Sequence, residues 1–165
     1  MCGRIVLKSP ASQIAAQFDL PAAPPPLAPR YNIAPTQPVL AVRADTADGR
    51  RADLLPWGLI PPWSPDPTVG AKMFNARSET VAEKPAFREA FAQRRCVVPV
   101  DGFYEWRKVG KGRHPHYFSR TDGRLLALAG LWERWEYPGG KVIESCSVLT
   151  TEANQLLRRF EQANK

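Results

Sequence analysis

No apolar run in the 165 residues approaches the ~20 that a membrane-spanning helix needs, and the first residues lack the charged-then-apolar layout of a secretory signal. The expected setting is therefore cytoplasmic, without a membrane partner. Cysteine is scarce. Cys2, Cys96 and Cys146 show no CxxC spacing, and an odd number in a reducing compartment argues for free thiols. With only His114 and His116 beside them, a structural zinc site has no ligand set, so neither metal nor cofactor is expected. Internal repeats and a domain-separating linker are also missing, so the chain reads as a single, monomeric domain over 1–165. Acidic residues are the minority charge, 16 against 23 Lys+Arg, for a net charge of +7. That balance serves solubility or a polyanion, and nucleic acid is the partner it favours.

Proline and tryptophan are abundant, and they punctuate a strand-rich pattern. Gly3–Lys8 reads as a strand, and Ser9-Pro10 as the cap and first position of a short helix through Ile14 and Phe18. Five prolines between Pro21 and Pro29 predict irregular chain. Pro38–Ala44 and Arg51–Gly58 form an expected hairpin around Thr46-Ala47-Asp48-Gly49. Pro85 opens a second helix with Phe87 and Phe91 one turn apart on its buried side. Cys96–Trp106 is the strongest strand, followed by His116–Ser119, Leu125–Trp132 and Val142–Leu149, with turns at Thr121-Asp122-Gly123 and Tyr137–Gly140. Thr151–Asn164 has a threonine cap and helical spacing of Leu156, Leu157 and Phe160. Strands that do not alternate with helices predict an α+β domain that is antiparallel, β-rich and barrel-like, with a few peripheral helices.

Cys2 carries the most distinctive chemistry. Removal of Met1 leaves an α-amine beside a thiol, a 1,2-aminothiol that only a chain terminus can supply. The two groups titrate near ~8 and ~8.5, so both are partly nucleophilic at neutral pH. An aldehyde can condense with the amine and close with sulfur to a five-membered thiazolidine. The plainer alternative is an ordinary residue in a frayed terminus, but the strand that follows would pin it.

Glu105 shares a strand face with Phe103 among aromatic neighbours, where desolvation raises a carboxyl pKa and suits it to moving protons; pairing with an arginine is the alternative. Asn75 can donate and accept at once, or simply make a turn. Lys72 and Arg77 flank it as candidate phosphate ligands. Trp57 and Trp63, on a proline-rich loop, suit base stacking in company with Arg4, Arg30, Lys72 and Arg77, the pattern of single-stranded nucleic-acid binding; core packing is the other role open to tryptophan. Arg113-His114-Pro115-His116 reads as surface loop, and Cys96 and Cys146 as buried, inert thiols.

The stretches Met1–Arg4, Arg30–Thr36, Trp57–Pro61, Ala71–Thr80, Arg95–Pro99, Gly102–Trp106 and Thr150–Asn154 resemble, in order, the SOS response-associated peptidase (SRAP) family of abasic-site processing proteins. The resemblance implies capture of abasic sites in single-stranded DNA, with the Cys2 amine attacking the sugar aldehyde and the thiol closing a thiazolidine. It implies Glu105 as the proton-handling carboxylate, Asn75 as the group that positions the terminus and the sugar, and Arg4 and Arg77 as phosphate ligands. Self-processing of the N-terminus (a protease activity) and lyase chemistry through the Schiff base are further implications.

One departure stands out. The family's His-x-Arg-Met-Pro motif, whose histidine aids proton transfer, has no counterpart; Glu161 falls about where that histidine belongs. The domain therefore reads as C-terminally truncated. Because loss of a proton-transfer group costs ~10²–10⁴-fold in its step, slow capture is expected rather than none. Two other functions remain open: an N-terminal-nucleophile amidohydrolase, and a single-strand-binding module without catalysis.

Overall fold

A computed structural model describes residues 3–45, 49–137 and 139–162. Met1, Cys2, residues 46–48 of the expected turn, Pro138 and residues 163–165 lie outside them. Two sheets enclose one main core. The smaller has the order β2-β1-β7-β8, from Arg30–Ile33, Ile5–Leu7, Gly102–Val109 and Gly112–Ser119. The larger has the order β4-β3-β6-β9-β10-β5, from Gly49–Pro56, Pro38–Asp45, Arg95–Val100, Leu126–Glu136, Val142–Thr150 and Asn75–Arg77. Three helices lie at the periphery: α1 (Ala11–Phe18), α2 (Arg88–Gln93) and α3 (Gln155–Gln162). The domain is mostly β and mostly antiparallel. Among the described residues neither sheet closes on itself, so barrel-likeness takes the form of two sheets around shared apolar packing.

The strand expected over Cys96–Trp106 is in fact two, divided between the sheets at Asp101. Hydrogen bonding explains the break. The Asp101 carboxylate accepts from the Lys8 N–H (2.6 Å), the Ser9 N–H (2.9 Å) and the Ser9 hydroxyl (2.7 Å), while its own N–H donates to the Val6 carbonyl (2.8 Å). Three donors on one carboxylate hold the chain at a corner, where a continuous ladder would have no partner for them. Gly102 completes the corner, because a Cβ there would collide with the Phe118 carbonyl and the Tyr117 ring. Ser9 is thereby spent on Asp101 and does not cap α1, whose cap position is Pro10.

The inner strands are buried on both faces rather than in alternation, with Ile5–Leu7, residues 39–43 and residues 145–148 buried throughout. Ile5, Leu7, Ile33, Val39, Ala41, Leu55, Val98, Val100, Cys146 and Val148 form the shared core with Ile14 of α1. Phe87 and Phe91 pack on a smaller cluster of Leu59, Ala76, Val81, Ala90 and Leu131, although α2 starts at Arg88, later than Pro85. Two strands escaped the sequence pattern. β2 pairs with β1, and the three-residue β5 adds to β10 in parallel, with Val148 opposite Asn75 and Thr150 opposite Arg77. The expected histidine loop is instead part of β8, exposed but fully paired with β7. α3 is capped not by Thr151 but by Asn154, whose side-chain oxygen accepts the Leu157 N–H at 3.0 Å, the usual reach to the third helical residue.

Candidate functional site

Two clefts meet along the segment Thr150–Ala153, which lines both. The first, about 450 Å³, has Asn75, Arg77, Glu79 and Arg158 on its walls. The parallel pairing of β5 with β10 puts them there: Ala76 is turned into the core, so its neighbours Asn75 and Arg77 share the opposite side. Arg77 is largely exposed and lies 3.5 Å from Glu79. Glu79 also accepts the Glu152 N–H at 3.1 Å. Hydrogen bonds from the backbone, its own first, and the nearby Arg77 charge hold the Glu79 carboxyl below its ordinary pKa.

The second cleft, about 290 Å³, brings Glu105 and Phe103 of β7 together with Leu128, Val148 and Leu157. Glu105 is half-buried, and the lining mixes these apolar side chains with Thr150, Thr151, Glu152 and Asn154. β1 runs beside it. Ile5 pairs with Phe103 and Val6 with Gly102, and the Tyr104 N–H donates to the Arg4 carbonyl at 2.9 Å. Arg4, at this end of the ladder, is thereby bonded to the residue that precedes Glu105. Cys2 itself lies outside the described residues. Arg4 is held by Asn32, whose side-chain oxygen accepts from Nε at 3.0 Å.

The remaining candidates separate. Lys72 ends a 3-10 turn over Pro67–Lys72 and is exposed, as is Trp63 at 62%; neither lines either of these two clefts. Trp63 stands on a turn closed by the Ser64 N–H to the Pro61 carbonyl (3.0 Å), and Trp135 anchors that turn by donating to the Ser64 carbonyl (2.7 Å). Trp57 must be corrected. It is 0% exposed, its indole N–H donates to the Phe74 carbonyl (2.8 Å), and its ring meets Phe74 edge-on at 5.9 Å. Proline flanks suggested a surface loop, but the loop folds inward and Trp57 cannot stack on a base from there. Cys96 and Cys146 are buried and free. Burial pushes the Cys96 thiol up to about 12, against a smaller opposing pull from Arg43, and raises Cys146 well above its ordinary value. Neither is a nucleophile at neutral pH.

Asn32, Glu79, Thr150, Thr151, Glu152 and Arg158 surround the candidates without having been singled out from sequence. Asn32 and the Thr-Thr-Glu run lie inside stretches that carried the resemblance, but only the fold reveals what they touch.

Residues 1–162 match the family described as SOS response associated peptidase (SRAP). The chain belongs to the SRAP family. It is 42% identical over 161 residues to the abasic site processing protein YoaM of Bacillus subtilis (strain 168), spanning 96% of this chain and 70% of that protein. It is 38% identical over 160 residues to the abasic site processing protein YobE of the same organism, spanning 95% and 73%. A crystal structure of a protein from Bacteroides thetaiotaomicron shares the fold with a TM-score of 0.86 at 28% identity, over 98% of this chain and 73% of that one. One from Bordetella bronchiseptica reaches 0.83 at 31% identity, over 100% and 80%. Among the described residues of this SRAP chain no helix is long and apolar enough to cross a membrane.

Proposed function

We infer that this chain is an abasic-site processing protein that binds single-stranded DNA and captures the abasic-site aldehyde covalently. In this reading Met1 is removed and the α-amine of Cys2 attacks the aldehyde carbon to give a carbinolamine. Loss of water leaves a Schiff base, and the thiol adds across its C=N bond to close a thiazolidine. Glu105 supplies and recovers the protons of these steps. Asn75 orients the terminus and the sugar, while Arg4, Lys72 and Arg77 draw in phosphates and Trp63 stacks on a base.

The observation that carries the reading is the β1–β7 ladder. It sets β1 beside the strand that bears Glu105, with the Arg4 carbonyl bonded to the Tyr104 N–H, and so supports a terminus within reach of that carboxylate. Burial of the two other thiols supports Cys2 as the nucleophile. The names of the relatives supply the substrate, and the net charge of +7 supports a polyanion. The family's description as a peptidase favours a second reading, amide hydrolysis by the freed Cys2.

Denaturing intact mass spectrometry of the protein, alone and after mixing with a single-stranded oligonucleotide bearing one abasic site, tests the inference. Met1-free protein with a stable adduct that has lost one water is expected. Met1-free, folded protein without adduct would overturn it and direct the work to amide substrates. Glu105→Gln keeps the shape and removes the proton chemistry, so single-turnover capture should slow by ~10²-fold or more while noncovalent affinity stays within about twofold. Equal capture rates for Glu105→Gln and wild type would reduce Glu105 to a structural residue.

A further inference from the structure

The β7–β8 ladder sets a histidine directly across from Glu105. The register pairs Phe103 with Phe118, Glu105 with His116 and Arg107 with His114. Opposite residues of an antiparallel pair share a sheet face with Cβ atoms ~5 Å apart, so these six side chains lie on the face that carries Phe103 and Glu105 into the cleft. The rings at the root of this face are in contact: Phe103 and Phe118 stack at 5.4 Å. Phe160 of α3 closes over the same spot, edge-on to Phe118 at 5.4 Å and to the His116 imidazole at 4.8 Å. His116 is thus fixed on one side by its strand and on another by an aromatic ring. It is solvent-exposed, whereas Glu105 is half-buried at the cleft.

We propose that His116 is a positioning residue and proton relay for Glu105, orienting the carboxylate and carrying its proton between the cleft and solvent. The placement suits the task. A half-buried carboxylate that gives up a proton inside the cleft must be reprotonated, and its route to water is longer than that of the exposed imidazole across the ladder. Histidine is the side chain whose ordinary titration lies near neutrality, so it can hold or release a proton without a large penalty in either state.

The relay rests on the proposed abasic-site chemistry, and its balance is simple. When the carbinolamine C–O bond breaks, the oxygen leaves as water with the proton from Glu105. The carboxylate takes a proton from His116, and His116 takes one from solvent. The thiol then adds to the protonated imine; the S–C bond forms, the nitrogen keeps its one hydrogen, and the thiol proton returns to solvent, matching the one that His116 took up. Aldehyde and aminothiol give thiazolidine and one water, with no redox step and no net change in either side chain.

The charged groups that face His116 are Glu105 and Arg107 from β7 and His114 from its own strand. α3 contributes the Phe160 ring, while its Arg158 is engaged by Glu152 at 2.7 Å. Two measurements separate the relay from the function on which it rests. The first is a proton NMR titration of the imidazoles in the full chain without DNA, with His114→Gln assigning the two histidines. Glu105→Gln removes the charge directly across the ladder, so the His116 curve should move relative to wild type. An unchanged midpoint overturns the pairing whether or not the protein captures DNA.

The second is the pH profile of single-turnover adduct formation from pH 5 to 9. Wild type should show a limb in the histidine range, near ~6.5, that His116→Gln removes together with at least tenfold of the rate. Binding of the same oligonucleotide should stay within twofold. Superimposable profiles for wild type and His116→Gln, with adduct formed in both, overturn the relay and leave the function standing. Absence of adduct in wild type overturns the function and the relay's catalytic role together, leaving the titration to report the pairing alone.

Discussion

Cys2→Ala is expected to eliminate the stable DNA adduct while leaving noncovalent binding within about threefold, since affinity for a single strand is set by phosphate and stacking contacts rather than by the nucleophile. The variant keeps an α-amine, so it can still form a Schiff base, but without sulfur no ring closes and hydrolysis returns the aldehyde. Borohydride added during incubation should therefore trap an amine-linked product from Cys2→Ala. Intact mass spectrometry without reductant should find none. No other thiol can substitute: Cys96 and Cys146 are buried, and burial drives both thiols far from the thiolate form at neutral pH. Full adduct formation by Cys2→Ala would sink the proposed nucleophile. Salt titration of binding by both proteins gives the control, with equal slopes expected.

The two tryptophans of the proline-rich loop should respond in opposite ways. Trp57→Ala removes a fully buried ring, its contact with Phe74 and the donor to the Phe74 carbonyl. Such truncations cost about 3–5 kcal/mol, which for a chain this size lowers Tm by roughly 6–20 °C. Phe74 precedes Asn75, so the entry to β5 should loosen as well. Trp63→Ala, at an exposed turn, should change stability by no more than about 0.5 kcal/mol. It should nonetheless weaken single-strand binding by about 1–3 kcal/mol, fivefold or more, as expected for loss of one stacking platform. Thermal melts and fluorescence anisotropy read both effects. An unshifted Tm for Trp57→Ala would contradict its place in the core, and undiminished affinity of Trp63→Ala would remove it from the binding surface.

Local periodicity determined much of this molecule. Apolar runs between turn residues placed the β3–β4 hairpin and the cores of β9 and β10, and alternation put Glu105 on the face of Phe103. Helical spacing brought Phe87 and Phe91 to one buried side. These features depend only on which way successive side chains point, and that is set within a few residues. The aminothiol potential of Cys2 and the family motifs are likewise legible in order along the chain.

Tertiary structure decided the rest. A break at Asp101 depends on donors from Lys8 and Ser9, far away in sequence, so an apolar run that looks continuous is split between sheets. β5 is three residues long and owes its existence to β10, too short to show a period of its own. Trp57 is buried because its indole finds the Phe74 carbonyl across a loop whose prolines look like surface. The pairing of Glu105 with His116 is a matter of register, fixed by where the β7–β8 hairpin turns. Sequence tells a side chain which face it is on; only the pairing of distant backbone groups tells it what stands opposite.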